Sequence, residues 1–534
     1  MIMVFDNIST SSAGVLVILV LLLISSRRYR LPPGPPGNVA VEFTESPMPV
    51  LFDKWRKQYG PIFSFKIGTK LAIVLNNIKA TSDLLDKKGD IYSSRPRLVV
   101  AHDILSGGKR GLSAPYGDHW RRWRKLQHMG MNERAAVYYR EQQTLEAAIV
   151  LRDLLADGGN SHDEILWRFV TSVVLGVSYG CHWLQIRILM SYGKSDANHH
   201  RRTVPGQCRS LNIDRSLLYY HHQRPRKWPS LLWLPKPLQW FRPALTMFEE
   251  IRANDTETYL DFFNGVKRRF EAGIAKECMG TYSLSKGGNQ GMTDVEVAYA
   301  LSAPFSAGVD TTLSTIQWCL VAVVTYPDIT TRIQEELDNV VGRDRLPTFD
   351  DEGSLPYLAA FIKEVTRRLW RPAVPLAIPH ATSKSDVYAG YDIPAGTTVY
   401  GNINALVKIP SLFEDPETFN PSRFLKPHSP VGGNWKGKVE GEFTIPFGFG
   451  RRVCPGIHVA LQSTFISVAR ILWAFDIRPA ADGSRVDATK TVNLGLARIP
   501  APFYISVSVR HEHALRLIEN ESRDAELRLR EWEF

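Results

Sequence analysis

At 534 residues, with 44% hydrophobic and 10% aromatic side chains, the chain carries enough apolar material for a large core, which excludes disorder in bulk. Its five cysteines, Cys181, Cys208, Cys278, Cys319 and Cys454, are odd in number and irregularly spaced, which excludes a disulfide framework and fits a reducing compartment. The formal charge of +11 comes without any nucleic-acid motif, so no nucleic-acid partner is expected; the basic residues are scattered or gathered near 121–125, a solvated face or one steering towards an acidic partner or anionic lipid.

Residues 8–24 are uncharged and residues 15–24 wholly apolar. As a helix the stretch is about 25 Å long against a hydrocarbon core of about 30 Å, short but sufficient to span. Asp6 precedes it and Arg27, Arg28 and Arg30 follow, the reverse of a cleaved secretory signal. Residues 1–30 are therefore expected to be an uncleaved single-pass anchor with the rest of the chain in the cytosol. Residues 31–37, Leu-Pro-Pro-Gly-Pro-Pro-Gly, form a stiff hinge.

Strands are expected over 61–68 and 71–75, joined by a glycine-containing turn, followed by a loop over about 95–115. Trp120 and Arg124 then lie one turn apart on one helix face, a spacing that also suits cation–π packing at the surface. Residues 181–228 do not fit: the pairs His199-His200 and His221-His222 sit among arginines with little helical periodicity and no second cluster at ligand spacing. Translated intron or out-of-frame sequence is one reading of that segment, which sequencing the spliced transcript decides.

Thr293 and Glu296 read as a capping box and Pro327 as a stop, bounding a helix that spans about 50 Å and must cross the whole domain. Its apolar interior holds Ala307-Gly308-Val309-Asp310-Thr311-Thr312. A buried acid and alcohol need a reason, either a threonine bonding back to the previous turn with the aspartate in an ion pair, or chemistry. Pro304, one turn earlier, removes a helix bond and kinks the axis. Further on come Glu364-x-x-Arg367 on one helix face, His380, and Arg423 in Phe-Asn-Pro-Ser-Arg-Phe. A hairpin is expected within 492–509, and a solvated helical tail over 511–534. No internal repeat is present.

The remaining stretch organises the others: Phe447-Gly448-Phe449-Gly450-Arg451-Arg452-Val453-Cys454-Pro455-Gly456. Gly448 and Gly450 permit a tight turn whose backbone approaches a flat ligand. Pro455 suits the first position of the apolar helix that follows, which puts Cys454 at a helix N-terminus, where amides and dipole favour the thiolate that ligates iron.

Phe-x-x-Gly-x-Arg-x-Cys-x-Gly resembles the haem-ligand loop of the cytochrome P-450 family, and the resemblance runs from about residue 31 to 510. It implies a mostly α fold, one large domain over 38–510 with a small β-rich lobe, and haem b as cofactor with Cys454 as the axial iron ligand. It implies that Trp120, Arg124 and Arg452 reach haem propionates and that Phe447 shields the sulfur beside Gly456. His380 is either a further propionate donor or an ordinary turn histidine. By the same resemblance Ala307 and Gly308 leave room for dioxygen, Asp310 and Thr311 relay protons, and Glu364, Arg367 and Arg423 lock the core behind the haem. Residues 95–115 would cover the substrate, with Val374, Leu376 and Ile378 facing it, and the family would place another substrate-covering helix within 181–228.

The implied activity is a monooxygenase, most like fungal enzymes of secondary metabolism, that inserts one atom of O2 into an apolar small molecule. Electrons would come from NADPH-cytochrome P-450 reductase, with cytochrome b5 as a second donor, at the endoplasmic reticulum membrane. Two alternatives are a haem-thiolate isomerase or dehydratase, against which the intact Asp310-Thr311 pair argues, and an inactive membrane-bound haem binder.

Overall fold

The computed structural model describes residues 29–182, 242–369, 375–425, 444–480, 486–494 and 497–532. The expected anchor, nearly all of the anomalous 181–228 segment, Val374 and the 495–496 hairpin tip lie outside the described residues.

The β-rich lobe forms first along the chain. Helix α1 (Met48–Tyr59) packs Leu51, Phe52 and Trp55 against strands β1 (Ile62–Ile67) and β2 (Lys70–Leu75), which pair antiparallel through Gly68 at a φ of 60°. Burial runs continuously through Phe63, Ser64 and Phe65 because helix and sheet cover both faces. Residues 31–37 are not a free spacer. Ser64 donates to the Pro33 carbonyl from its amide at 2.9 Å and to that of Pro32 from its hydroxyl at 2.7 Å. A Cβ on Gly34 would stand 1.7 Å from the Ser64 oxygen, so glycine is what lets the proline segment lie along β1.

The helical domain is built from α2 (Asp118–Met131), α3 (Arg140–Asp157), α4 (His162–Tyr179), α5 (Arg242–Glu271), α6 (Asp294–Leu301), α7 (Ala303–Thr325), α8 (Pro327–Val340) and α9 (Pro356–Glu364). The short strands β3 (His380–Ala381), β4 (Asp386–Tyr388), β5 (Tyr391–Ile393) and β6 (Thr398–Gly401) return the chain to the lobe. The four-stranded sheet runs β1-β2-β6-β3, with β2 and β6 parallel. Then come α10 (Ile457–Ala474), β7 (Phe475–Pro479), the β8 (Thr491–Leu494) and β9 (Ala497–Pro500) hairpin, β10 (Ile505–Val509) and α11 (Glu512–Leu529).

Helices α4, α7 and α10 share the main core around the fully buried Trp318 and Trp473. Both α10 and the α6–α7 unit are apolar enough to cross a membrane by composition, but most of each is buried inside the protein. The capping box at Thr293 and Glu296 forms as expected, whereas the long helix is two: it breaks at Ser302, and Pro304 occupies the first turn of α7.

The expected solvated tail is instead a docked helix. Ala514, Ile518, Ser522, Ala525 and Leu529 of α11 are buried, and Ala525, Leu529 and Trp532 close over Leu145, Ala148 and Ile149 of α3.

Candidate haem site

The cysteine loop is drawn tight by its own backbone. The Cys454 amide donates to the Phe447 carbonyl at 2.8 Å, and those of Arg452 and Val453 to Phe449 and Gly450 at 3.1 and 3.2 Å. Gly448 has a φ of 86° and Gly450 of 55°. A Cβ on Gly450 would lie 2.0 Å from the Leu85 carbonyl oxygen, and its amide donates to Asp86 Oδ1 at 2.6 Å, so this glycine seats the loop on the lobe. Helix α10 begins at Ile457 with Gly456 as its cap, two residues later than Pro455 suggests, because Pro455 is used in the turn.

Cys454 is half-buried. Burial pushes its thiol up, while the Gly456 amide and the Arg124 charge pull the other way. The expected lowering by a helix start is therefore outweighed by desolvation in the ligand-free protein. Both lowering influences act only on the thiolate, the form a metal would stabilise.

Opposite the loop, α2 buries Trp120 and presents Arg124, which donates to the Val453 carbonyl at 2.6 Å. The cation over the Trp120 ring is Arg452, 4.3 Å from its centroid, so the surface Trp120–Arg124 pairing left open by the spacing is not what forms. Arg452 also donates to the carbonyls of Ser93 at 2.7 Å, Gly111 at 3.3 Å and Ala114 at 2.7 Å.

Arg95 completes the group and was missed from sequence. It is buried and donates to the carbonyls of Leu112 at 3.2 Å, Ile378 at 2.6 Å and Pro379 at 2.8 Å. Burial drops Arg95 to about 9 and, with the charges of Arg95 and Arg124 added, Arg452 to about 8. Among the described residues, Arg95, Arg124 and Arg452 bond only carbonyls and no carboxylate, and the Trp120 indole N–H is buried without a partner. Arg95 is buried and Arg124 and Arg452 are half-buried, and like charges so poorly solvated without a counter-ion are costly, so this constellation calls for an anion with more than one negative charge. The two carboxylates of haem fit that demand.

His380 is buried in β3 rather than standing in a turn. Its Nδ1 donates to the Tyr92 carbonyl at 2.8 Å, which leaves Nε2 as a lone pair in the neutral ring. Burial, with the charges of Arg95 and Arg452, lowers it to about 3. Leu376 packs into the lobe core with Phe52 and Phe65, while Ile378 is half-buried.

On α7, Ser306 and Ala307 are exposed and Gly308, Asp310 and Thr311 half-buried in the middle of a core helix, so this face borders open space. Thr311 Oγ1 donates to the Ala307 carbonyl at 2.8 Å, the back-bond expected of a helical threonine. Gly308 has a separate packing role, since a Cβ there would meet Val174 Cγ1 at 2.9 Å.

The Glu364, Arg367 and Arg423 cluster is apart from the guanidinium group and fully formed. Arg367 donates from Nε and Nη2 to the two Glu364 oxygens at 2.7 Å each, both side chains wholly buried, and Arg423 Nε reaches the same carboxylate at 3.2 Å.

A thiol loop facing a largely enclosed cluster of guanidiniums with no carboxylate partner among the described residues, carried by a helical domain with a small sheet lobe, defines a haem-thiolate class of protein. The comparisons agree. The cytochrome P450 family profile matches residues 32–507, and the chain belongs to that family, whose cofactor is haem b and whose related members are monooxygenases. A cytochrome P450 monooxygenase of Armillaria gallica is 33% identical over 96% of this chain and 97% of its own. Another, drtD of Aspergillus calidoustus, is 31% identical over 98% and 94%. Among solved structures, a zebra fish cytochrome P450 determined with abiraterone aligns at a TM-score of 0.65 and 25% identity, covering 87% of this chain and 100% of that one.

Proposed function

We propose that the protein is a membrane-anchored monooxygenase that oxidises an apolar small molecule of secondary metabolism, with the Cys454 thiolate as the group that would ligate its haem iron. The carrying observation is the group of one buried and two half-buried guanidiniums, Arg95, Arg124 and Arg452, none bonded to a carboxylate among the described residues, around the loop that bears the thiol. Haem with a thiolate ligand supplies the activation of O2 and the transfer of one oxygen atom, the other leaving as water. The chain's own residues do the rest. Arg95, Arg124, Arg452 and the Trp120 N–H would hold the propionates, and His380 would join them by taking a second proton, which a neighbouring carboxylate would favour. Phe447 and Gly456 flank the sulfur, and the Gly456 amide moderates its charge. Thr311, with its hydroxyl turned on Ala307, and Asp310 beside it move protons to the oxygen side once Thr311 gives up its back-bond.

Arg451 is exposed beside the loop and, with Arg121, brackets the Tyr116 ring, a basic face suited to an acidic electron donor such as the NADPH-dependent reductase or cytochrome b5. Residues 1–30 anchor the domain to the endoplasmic reticulum with residues 38–510 in the cytosol. The names of the fungal relatives support the monooxygenase chemistry. The test is the carbon monoxide difference spectrum of the reduced, membrane-expressed protein. A strongly red-shifted Soret band that Cys454→His abolishes is expected; a band at the position of imidazole-ligated haem in the unaltered protein refutes thiolate ligation.

A further inference from the structure

Pro304 has no N–H, so the Ala300 carbonyl four residues earlier loses its helical donor, and the helix parts at Ser302. Ala300 is wholly buried, where an unmet carbonyl is costly. The missing donor comes from another helix: Gln127 Nε2 donates to the Ala300 oxygen at 2.7 Å. Gln127 is itself buried and lies on α2 one turn beyond Arg124 and two beyond Trp120, on the same face. Its Oε1 has no partner among the described residues, where the amide is engaged through its N–H side. Past the break the ladder resumes, with the Ser306 amide donating to the Ser302 carbonyl at 3.1 Å. The far half of α7 is fixed by the core through Ile316, Trp318 and Leu320, so a shift at the break is absorbed by its first turns, which carry Ala307, Asp310 and Thr311.

We propose that Gln127 is a positioning residue for the oxygen-side helix: its bond to Ala300 ties the break made by Pro304 to the helix bearing Trp120 and Arg124. The bond thereby sets where Asp310 and Thr311 stand relative to the haem. The inference rests on the haem assignment above, and the two fail separately. A wild-type protein without the red-shifted carbon monoxide band removes the haem-thiolate reading, whereas the comparison of variants below bears on Gln127 alone.

The experiment uses the full chain in vesicles with reductase, comparing Gln127→Leu, Pro304→Ala and the double variant. Pro304→Ala returns an N–H to the Ala300 carbonyl, so Gln127 then has nothing to supply. Two quantities are read at matched haem content: the infrared stretching band of carbon monoxide on the reduced protein, which senses the polar groups around it, and peroxide released per NADPH. The expected result is a displaced or broadened band in Gln127→Leu with peroxide changed two-fold or more, and no further effect of that substitution in the Pro304→Ala background. Wild-type values in Gln127→Leu, or the same change in both backgrounds, overturn the proposal. Should Gln127→Leu fail to hold haem, the double variant must recover it; a double variant that also fails overturns the proposal.

Discussion

Glu364 is the place where a single substitution has the largest calculable cost. Its carboxylate is fully buried and accepts from Arg367 Nε and Nη2 at 2.7 Å, the Asn420 amide at 2.9 Å and Arg423 Nε at 3.2 Å. Leucine in its place leaves the Arg367 guanidinium wholly buried, with only the carbonyls of Val407, Pro416 and Thr418 as partners. Removing one partner of a buried ion pair costs about 3–5 kcal/mol, a large share of the roughly 5–15 kcal/mol that holds a folded protein together. In a domain of this size, where about 1 kcal/mol shifts Tm by only about 1 °C, the expected fall in Tm is about 3–5 °C, with a larger share of the protein recovered without haem at growth temperature. Thermal unfolding followed by far-UV circular dichroism and by haem absorbance measures it. The decisive control is Glu364→Leu with Arg367→Met, which removes both charges and should be milder than the single change. Arg423 tolerates that loss, since Glu414, Asp415 and Thr418 carbonyls also receive it. A single variant within about 1 kcal/mol of wild type, or a double variant that is worse than the single, refutes the argument from an uncompensated buried charge.

Gly450→Ala forces a side chain into the Leu85 carbonyl at a φ of 55° and should abolish the haem-thiolate spectrum while leaving helix content largely intact. Arg452→Met should act with opposite signs in two assays. The haem-free protein, relieved of one of three mutually repelling cations, should melt no lower than wild type, while haem transfer to an acceptor globin should quicken by about 10-fold or more, the equivalent of a charged hydrogen bond. His380 is held at about 3 in the fold against an ordinary value near 6.5, so in the haem-free protein the unfolded chain binds the extra proton between those pH values and stability falls on acidification. From pH 7 to pH 5 the loss is about 2 kcal/mol, and a urea midpoint that shifts equally in His380→Gln would contradict it. Trp532→Ala should cost about 3 kcal/mol by uncovering Leu145, Ala148 and Ile149, read as a lowered Tm with an unchanged carbon monoxide spectrum.

What was legible in the sequence was what is local. The Phe447–Cys454 turn is closed by its own glycines and amides, and Glu364 and Arg367 are one turn apart, so local spacing together with the family resemblance carried both. Pro304 announced a kink in the long helix because the lost N–H is a property of the residue itself, but not the parting into two helices at Ser302. Arg95 was invisible for the opposite reason. It is one arginine in a loop, and the carbonyls of Ile378 and Pro379 that orient it are more than 280 residues away. Gln127 escaped notice likewise, its partner lying 173 residues on. The last helix reads as a solvated tail because its buried stripe, Ala514, Ile518, Ser522, Ala525 and Leu529, is mostly of small side chains that give weak contrast against the charges between them. The Cys454 thiol went the other way from expectation because a helix start is local and desolvation is not.

The docked helix Glu512–Leu529 has a temporal side. It leaves the ribosome after every residue it covers, so throughout synthesis of the domain the Leu145, Ala148 and Ile149 face stands uncovered. The nascent domain is thus assembled around an apolar face that, among the described residues, the Glu512–Leu529 helix and Trp532 conceal, and an interruption of translation between β10 and that helix releases a product with its haem-binding residues complete and that face bare.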